Sequence, residues 1–417
     1  MNQQMFSRPI VRICFLLCLS FIAVSSAALA QGNVNNFAVE RERAIKMINE
    51  GKYVESLPLF EKLAVDKQAD AEVFFGLGIA TLSKADTIKD TAGRKQLRVK
   101  ARETLLKAKS LSGENSQIDS VLNTIKPDGG ERGKSDNPEA NKAMEVAFAA
   151  FAERNYLKAA ELYEKAARLD PVLYEAALYT GNSFYGAKEH DKAGIWFAKA
   201  VALDPNRETA YRYWGDSLMV SGKENEAKDK FFDAIVAEPY SQLAWRGLIQ
   251  FARANNLKLA HPKIDIPTNI SSNEKGDRTT ITLDESLLKE TGDGSGAWMA
   301  YGLIRAVWRN GDFLKKFPNE KVYRHSLAEE AAALRGVLVA VKNQRKDIKQ
   351  LNPALKQLQE LNDAGLLEAY ILLAQSDAGI RQDYDAYRQN NRDKLKRYLV
   401  EFLIIENGSS NEKKVVS

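Results

Sequence analysis

The chain has 417 residues, with 60 Lys and Arg against 55 Asp and Glu and a formal net charge of +5. So mild a balance on so charged a chain argues against an electrostatic nucleic-acid binder. Its two cysteines, Cys14 and Cys18, lie in the first 30 residues, so the remainder has no thiol for a disulfide, a thiolate metal site or a nucleophile.

Residues 1–30 have the pattern of a secretory signal peptide. Arg8 and Arg12 form a basic front, Ile13 to Ser26 is apolar but short for a membrane span, and Ala28-Leu29-Ala30 offers small residues to a signal peptidase. Cleavage before Gln31 is expected, and it takes the net charge from +5 to +3 because Arg8 and Arg12 are the only charges removed. The expected location is the periplasm or the exterior, with no stable membrane span after cleavage. The alternative is an uncleaved anchor. Residues 37–112 then read as two helical hairpins. Ser56, Phe60 and Leu63 fall at the core positions of one helix, Leu77-Gly78 in the next, and Ala101, Leu105 and Ala108 in the last. A surface insertion is expected between those last two helices, from roughly Ala85 to Lys95. Residues 113–137 include Lys126-Pro127-Asp128-Gly129-Gly130 and read as a polar linker. Asn137-Pro138 is a helix start, with a capping side chain before a proline at the first helical position.

A repeat comes next, in units 140–173, 174–207 and 208–241. Pro171, Pro205 and Pro239 stand 34 residues apart. Ala159, Ala193 and Ala227 keep that spacing, as do Tyr163, Phe197 and Phe231, then Ala166, Ala200 and Ala234. Ala147, Gly181 and Gly215 supply a small residue upstream. Small residues let two helices approach closely, the aromatic fills the space between neighbouring hairpins, and the proline stops the second helix because it has no N–H to donate. Period and residue order together resemble the tetratricopeptide repeat (TPR), as does the Leu-Asp-Pro ending at Leu169 and Leu203. The third unit ends Ala237-Glu238-Pro239, a mild departure. The resemblance implies an all-α solenoid of helical hairpins, each a helix A followed by a helix B, that binds a protein or peptide and needs no cofactor. In that register Gly51-Lys52-Tyr53 matches Arg154-Asn155-Tyr156, so 37–112 are two degenerate units. Trp245 falls in phase with Tyr211, and 242–255 is a lone helix A that caps the stack, completing a block at 138–256.

Helix A lines the concave side of such a stack, so helical spacing names the groove. The first unit supplies Met144, Phe148 and Phe151, and the second Leu178, Tyr179, Asn182 and Tyr185. The third supplies Arg212, Tyr213, Asp216 and Met219, and the cap adds Arg246, Gln250 and Arg253. One end is apolar and aromatic and the other carries three arginines, which suits a peptide with a hydrophobic anchor and a carboxylate. The competing reading packs Tyr179, Tyr185 and Tyr213 between units. The chaperone-type clamp of some TPR domains needs Lys and Asn where this chain has Met144 and Phe148, so it is not supported.

Residues 257–417 read as mostly helical and carry no family signature in their sequence. Lys263–Pro267 and Thr279–Leu283 alternate apolar with polar and suggest a short β-hairpin turning at Ser271–Gly276. Gly292–Gly296 is a flexible break. Helices are expected near 297–309, 325–345, 352–362, 365–375 and 378–403. Trp298, Tyr301, Arg305 and Trp308 share one face of the first, as a pocket lining or as a buried core face. Of the three histidines, His190 reads as a solvated turn residue and His325 as the first turn of a helix, and none sits in a metal-spaced pair. No nucleophile elbow or phosphate loop is present in the sequence. The leading expectation is therefore an exported, non-catalytic scaffold. The alternative is a docking arm joined to an enzymatic or ligand-binding C-terminal module.

Overall fold

The computed structural model describes residues 36–405, apart from 67, 113–114, 273–278, 289–291, 319, 321–322, 345–347 and 349. The expected signal segment 1–30 lies outside the described residues. Two hairpins come first, α1 (Asn36–Asn49) with α2 (Tyr53–Ala64) and α3 (Ala71–Asp86) with α4 (Thr91–Ser112). Asp70 caps α3 by accepting from the Val73 amide at 3.0 Å. Gly78 gives Leu105 of α4 room to lie against α3. The insertion expected at 85–95 is not a loop. Both helices absorb it, because Ala85 is fully buried and Arg98 is anchored, donating to the Gly129 carbonyl at 3.1 Å and pairing with Asp86 at 3.3 Å.

The segment 113–137 also departs from a plain linker. It contains α5 (Ser116–Leu122), capped by Asn115, and a backbone bridge between Ile125 and Glu131. Ile118 and Ile125 are buried beneath it. Gly129, at φ +82°, sits against the Lys95 carbonyl where a Cβ would collide. Glycine here serves close approach, not slack.

Three more hairpins form the centre of the chain, α6 (Pro138–Ala152) with α7 (Tyr156–Leu169), α8 (Tyr174–Gly186) with α9 (His190–Leu203), and α10 (Glu208–Val220) with α11 (Glu224–Ala237). Each helix packs on the next in sequence. Ala159, Ala193 and Ala227 are fully buried, as are Ala166, Ala200 and Ala234, and Tyr163, Phe197 and Phe231 are buried beside them. The residues before the prolines, Asp170, Asp204 and Glu238, have left the helical conformation, with ψ of 90°, 88° and 74°. The following proline ring disfavours the helical conformation there, and Glu238 leaves it as Asp does.

A second period is invisible in residue types. Arg154, Lys188, Gly222 and Asn256 all have positive φ, at 61°, 65°, 77° and 52°. Each ends a helix A, and the next amide closes the turn, Asn155 on the Ala150 carbonyl, Glu189 on Phe184, Lys223 on Leu218 and Leu257 on Ala252, at 2.8–2.9 Å. The fourth of these turns ends α12 (Gln242–Ala254), which has no helix B after it.

The chain continues instead through β1 (Lys258–Leu259), β2 (Thr268–Ser272), β3 (Thr279–Leu283), α13 (Met299–Val307), α14 (Phe313–Lys316), α15 (Leu327–Gln344), α16 (Pro353–Asp363), α17 (Leu367–Ala374), α18 (Ala378–Arg381), α19 (Tyr384–Tyr398) and β4 (Ile404–Ile405). β2 and β3 form the antiparallel hairpin, with Thr268 opposite Leu283. Its first strand lies later than the expected 263–267. Ile264 instead turns into the core, and its carbonyl accepts from Gln375 at 3.0 Å. β1 pairs with β4, a contact between distant segments that local pattern does not reveal.

One apolar core runs through the end of the stack into this region. Phe231, Phe232 and Val236 of α11 and Leu248 and Phe251 of α12 share it with Trp298, Leu334, Tyr370 and Tyr398. The Tyr384 hydroxyl donates to the Val236 carbonyl at 2.8 Å, Tyr240 to Leu372 at 3.0 Å, and Arg388 to Ala237. Lys396 bridges Asp229 and Asp233 at 2.7 and 2.8 Å. The chain is an all-α solenoid of stacked helical hairpins joined to a mostly helical C-terminal region. Among the described residues, no helix is long and apolar enough to cross a membrane.

Candidate functional site

Four rows of side chains run across successive A helices in phase. Met144, Leu178, Arg212 and Arg246 form one, and Phe148, Asn182, Asp216 and Gln250 the second. Phe151, Tyr185, Met219 and Arg253 form the third, and Glu145, Tyr179, Tyr213 and Gly247 the fourth. Where the last two A helices meet, they enclose a cleft of about 520 Å³. Of the expected groove residues, Tyr185, Arg212, Tyr213, Asp216, Met219, Arg246 and Gln250 line it. Phe231 and Phe251 make its buried floor.

Gly247 sets how closely α12 packs there. In the fourth row it stands where Tyr179 and Tyr213 stand two and one units earlier. Without a side chain it lets α12 rest on the Phe231 ring, which a Cβ would strike. The phase of the repeat carried this signal, but glycine in a helix draws no notice by itself.

The other expected groove residues lie elsewhere. Leu178 is buried inside the stack and does not face the groove. Met144 is half-buried against α7, and Phe151 packs edge-on to Tyr156 at 5.2 Å. Tyr179 is partly exposed and leans on Tyr163, with ring centres 5.5 Å apart. Asn182 is half-buried, and its Oδ1 has no hydrogen-bond partner among the described residues. Phe148 is half exposed, and Arg253 is exposed but does not line the cleft. His190 is not a solvated turn residue. Its Nδ1 lies 3.0 Å from the Ser217 hydroxyl, which ties α9 to α10.

The three arginines are not equivalent. Arg212 is buried and held by Glu208, with Nε 2.8 Å and Nη2 3.3 Å from its two carboxylate oxygens, and it lies over the Tyr213 ring at 4.5 Å. Burial opposes its charge, but the Glu208 contact more than offsets this and holds its pKa above the ordinary value. Arg246 lines the cleft and has no hydrogen-bonded partner among the described residues. Between them Asp216 is pushed up by burial, although both arginines pull it back. Burial likewise raises the Tyr185 hydroxyl, with Asp216 adding to it. The cleft thus offers one accessible guanidinium, one amide, and aromatic and thioether walls. Among the described residues, no three His, Cys, Asp or Glu side chains are grouped to hold a metal ion.

No protein-family model and no curated protein matches the sequence. Solved structures similar to it are TPR domains and MamA. The first TPR domain of human RPAP3 is 23% identical, with 28% of this chain and 93% of that one covered and a TM-score of 0.27. The TPR domain of Sgt2 from Aspergillus fumigatus is 25% identical, covering 35% and 95%, with a TM-score of 0.28. MamA AMB-1 is 20% identical, covering 48% and 99%, with a TM-score of 0.24.

Proposed function

We propose that the chain is an exported, non-catalytic scaffold that binds a peptide or protein partner in the cleft between α10 and α12. The convergence of seven expected groove residues on one open cleft carries this reading. Arg246 is the group suited to a partner carboxylate, because Arg212 already serves Glu208. Tyr185, Tyr213 and Met219 offer adaptable apolar walls for a side-chain anchor. The C-terminal region acts as a cap on the last hairpin, since the two share a core. Export rests on the N-terminal pattern at Arg8, Arg12 and Ala28-Leu29-Ala30.

A photo-crosslinking residue at Gln250, compared with one at the exposed Leu157 of α7, tests the site in the intact chain. A crosslinked species is expected at Gln250 alone, and Arg246→Ala should diminish it. Equal labelling at both positions, or labelling indifferent to Arg246, would remove the cleft from consideration. Amino-terminal sequencing of the secreted form checks export, with Gln31 as the expected first residue.

A further inference from the structure

Away from the cleft, His325 stands in the segment before α15, not in the first turn of that helix. Its Nε2 is 2.9 Å from a Glu330 carboxylate oxygen and its Nδ1 is 2.7 Å from a carboxylate oxygen of Asp377. A neutral imidazole has one N–H, so it can serve one of these oxygens while its other nitrogen turns a lone pair toward the second. The imidazolium, with an N–H on each nitrogen, serves both carboxylates at once.

The surroundings are charged and closed. Glu329 and Glu330 of α15 are 0% and 3% exposed. The same Glu330 oxygen accepts from the Tyr301 hydroxyl at 2.8 Å, and that hydroxyl accepts from Arg305 at 3.1 Å. Arg305 of α13 also donates to Glu329 at 2.9 Å, and the Tyr323 hydroxyl to the same oxygen at 2.8 Å. Neighbouring Arg324 is spent on Glu320, Asp383 and the Gly379 carbonyl. Among the described residues the cluster around His325 thus holds Glu330 and its neighbour Glu329 from α15 and Asp377 from the start of α18, against the guanidinium of Arg305 from α13. Three carboxylates with one guanidinium leave a deficit that a second positive charge reduces.

The position of Asp377 gives this charge a mechanical role. Its other carboxylate oxygen caps α18 by accepting from the Ile380 amide at 2.9 Å. α18 leads into α19, which grips the last hairpin through Tyr384 and Arg388. We propose that His325 is a proton-operated latch, whose imidazolium ties Glu330 of α15 to the Asp377 cap of α18 and whose deprotonation releases that tie.

Electrostatics agree in direction. Burial lowers the His325 value, but the bonds to Asp377 and Glu330 more than offset it and hold it above the ordinary histidine range. Burial raises Asp377, yet His325 and the α18 amides hold it at about 2. A folded value above the unfolded one means the latch contributes fully below about pH 6.5 and is lost as pH rises through the folded value.

The chain has three histidines, so imidazole signals can be assigned in the intact protein by single substitutions. His325 is expected to titrate above about 6.5, and protection of the Ile380 amide from exchange should fall over the same range. In His325→Gln that protection should be low and independent of the range, with a lower melting temperature at acid pH that converges with wild type at alkaline pH. Asp377→Asn keeps a capping side chain and should move the His325 titration downward. A His325 titration at or below about 6.5 overturns the latch, as do wild-type and His325→Gln proteins with the same dependence of Ile380 protection on pH.

Discussion

The contact between Gly181 and Phe197 gives a quantitative test of the stacking geometry. A Cβ at residue 181 would stand 2.7 Å from both Cδ1 and Cε1 of Phe197 and 3.1 Å from Cζ. Ordinary carbon contact begins near about 3.5 Å, so the methyl intrudes by about 0.8 Å. Phe197 is fully buried between α8, α9 and the next hairpin and has little room to retreat. Overpacking of this kind costs about 1–3 kcal/mol. Alanine also recovers up to about 1 kcal/mol of helix propensity over glycine. Gly181→Ala should therefore be destabilising by up to about 2 kcal/mol, although on an isolated helix it would stabilise. The decisive comparison is a double-mutant cycle with Phe197→Leu, read as urea midpoints at constant slope. Removing ring volume should relieve the clash, making the double variant more stable than the two single effects predict by at least about 1 kcal/mol. Additivity within about 0.5 kcal/mol would refute the contact.

Ala193→Glu places a carboxylate at a fully buried helix crossing and should cost about 4 kcal/mol or more, checked by thermal melting. Arg305→Met strands the fully buried Glu329 without its cation and should cost about 3–5 kcal/mol, which Glu329→Met added to it should partly restore. Residues 257–417 expressed alone should lack dispersed side-chain signals in NMR spectra, because Phe231, Phe232 and Phe251 of the stack complete their core. A compact, cooperatively melting fragment would show instead that the two parts are independent.

The repeat was legible because each of its residue types has one task. Ala159, Ala193 and Ala227 repeat since nothing larger fits, and Pro171, Pro205 and Pro239 since nothing else ends a helix as sharply. The C-terminal helices were legible from apolar spacing, and in the structure Asn352 and Asp377 cap two of them. What escaped had physical causes. The Gly- and Pro-rich run at 126–138 reads as slack, yet Ile118 and Ile125 supply the burial that folds its surroundings. Residues 85–95 exceed the length of a repeat unit, and two helices grew instead of one loop. The β1–β4 pair needs the tertiary fold before its strands can meet. In the cleft, helical spacing places Tyr185, Tyr213, Arg246 and Gln250 correctly on one surface. It gives no warning that Leu178 is buried or that Arg212 is occupied by Glu208, because both depend on the turn of helix above or the unit beside. The position of His325 ahead of its helix is equally hidden, since its partners come from α15 and the cap of α18 at once.

The four left-handed joints at Arg154, Lys188, Gly222 and Asn256 make the array modular. Each joint turns the chain out of a helix A in the same way, so successive hairpins share one shape. Excising one whole period, residues 174–207, should preserve both termini of the stack. It would also set Met144 and Phe148 in phase beside Arg212 and Asp216 and take away Tyr185, one wall of the cleft. The lining of the cleft is thus set by which copies stand side by side, not by the shape of any single hairpin.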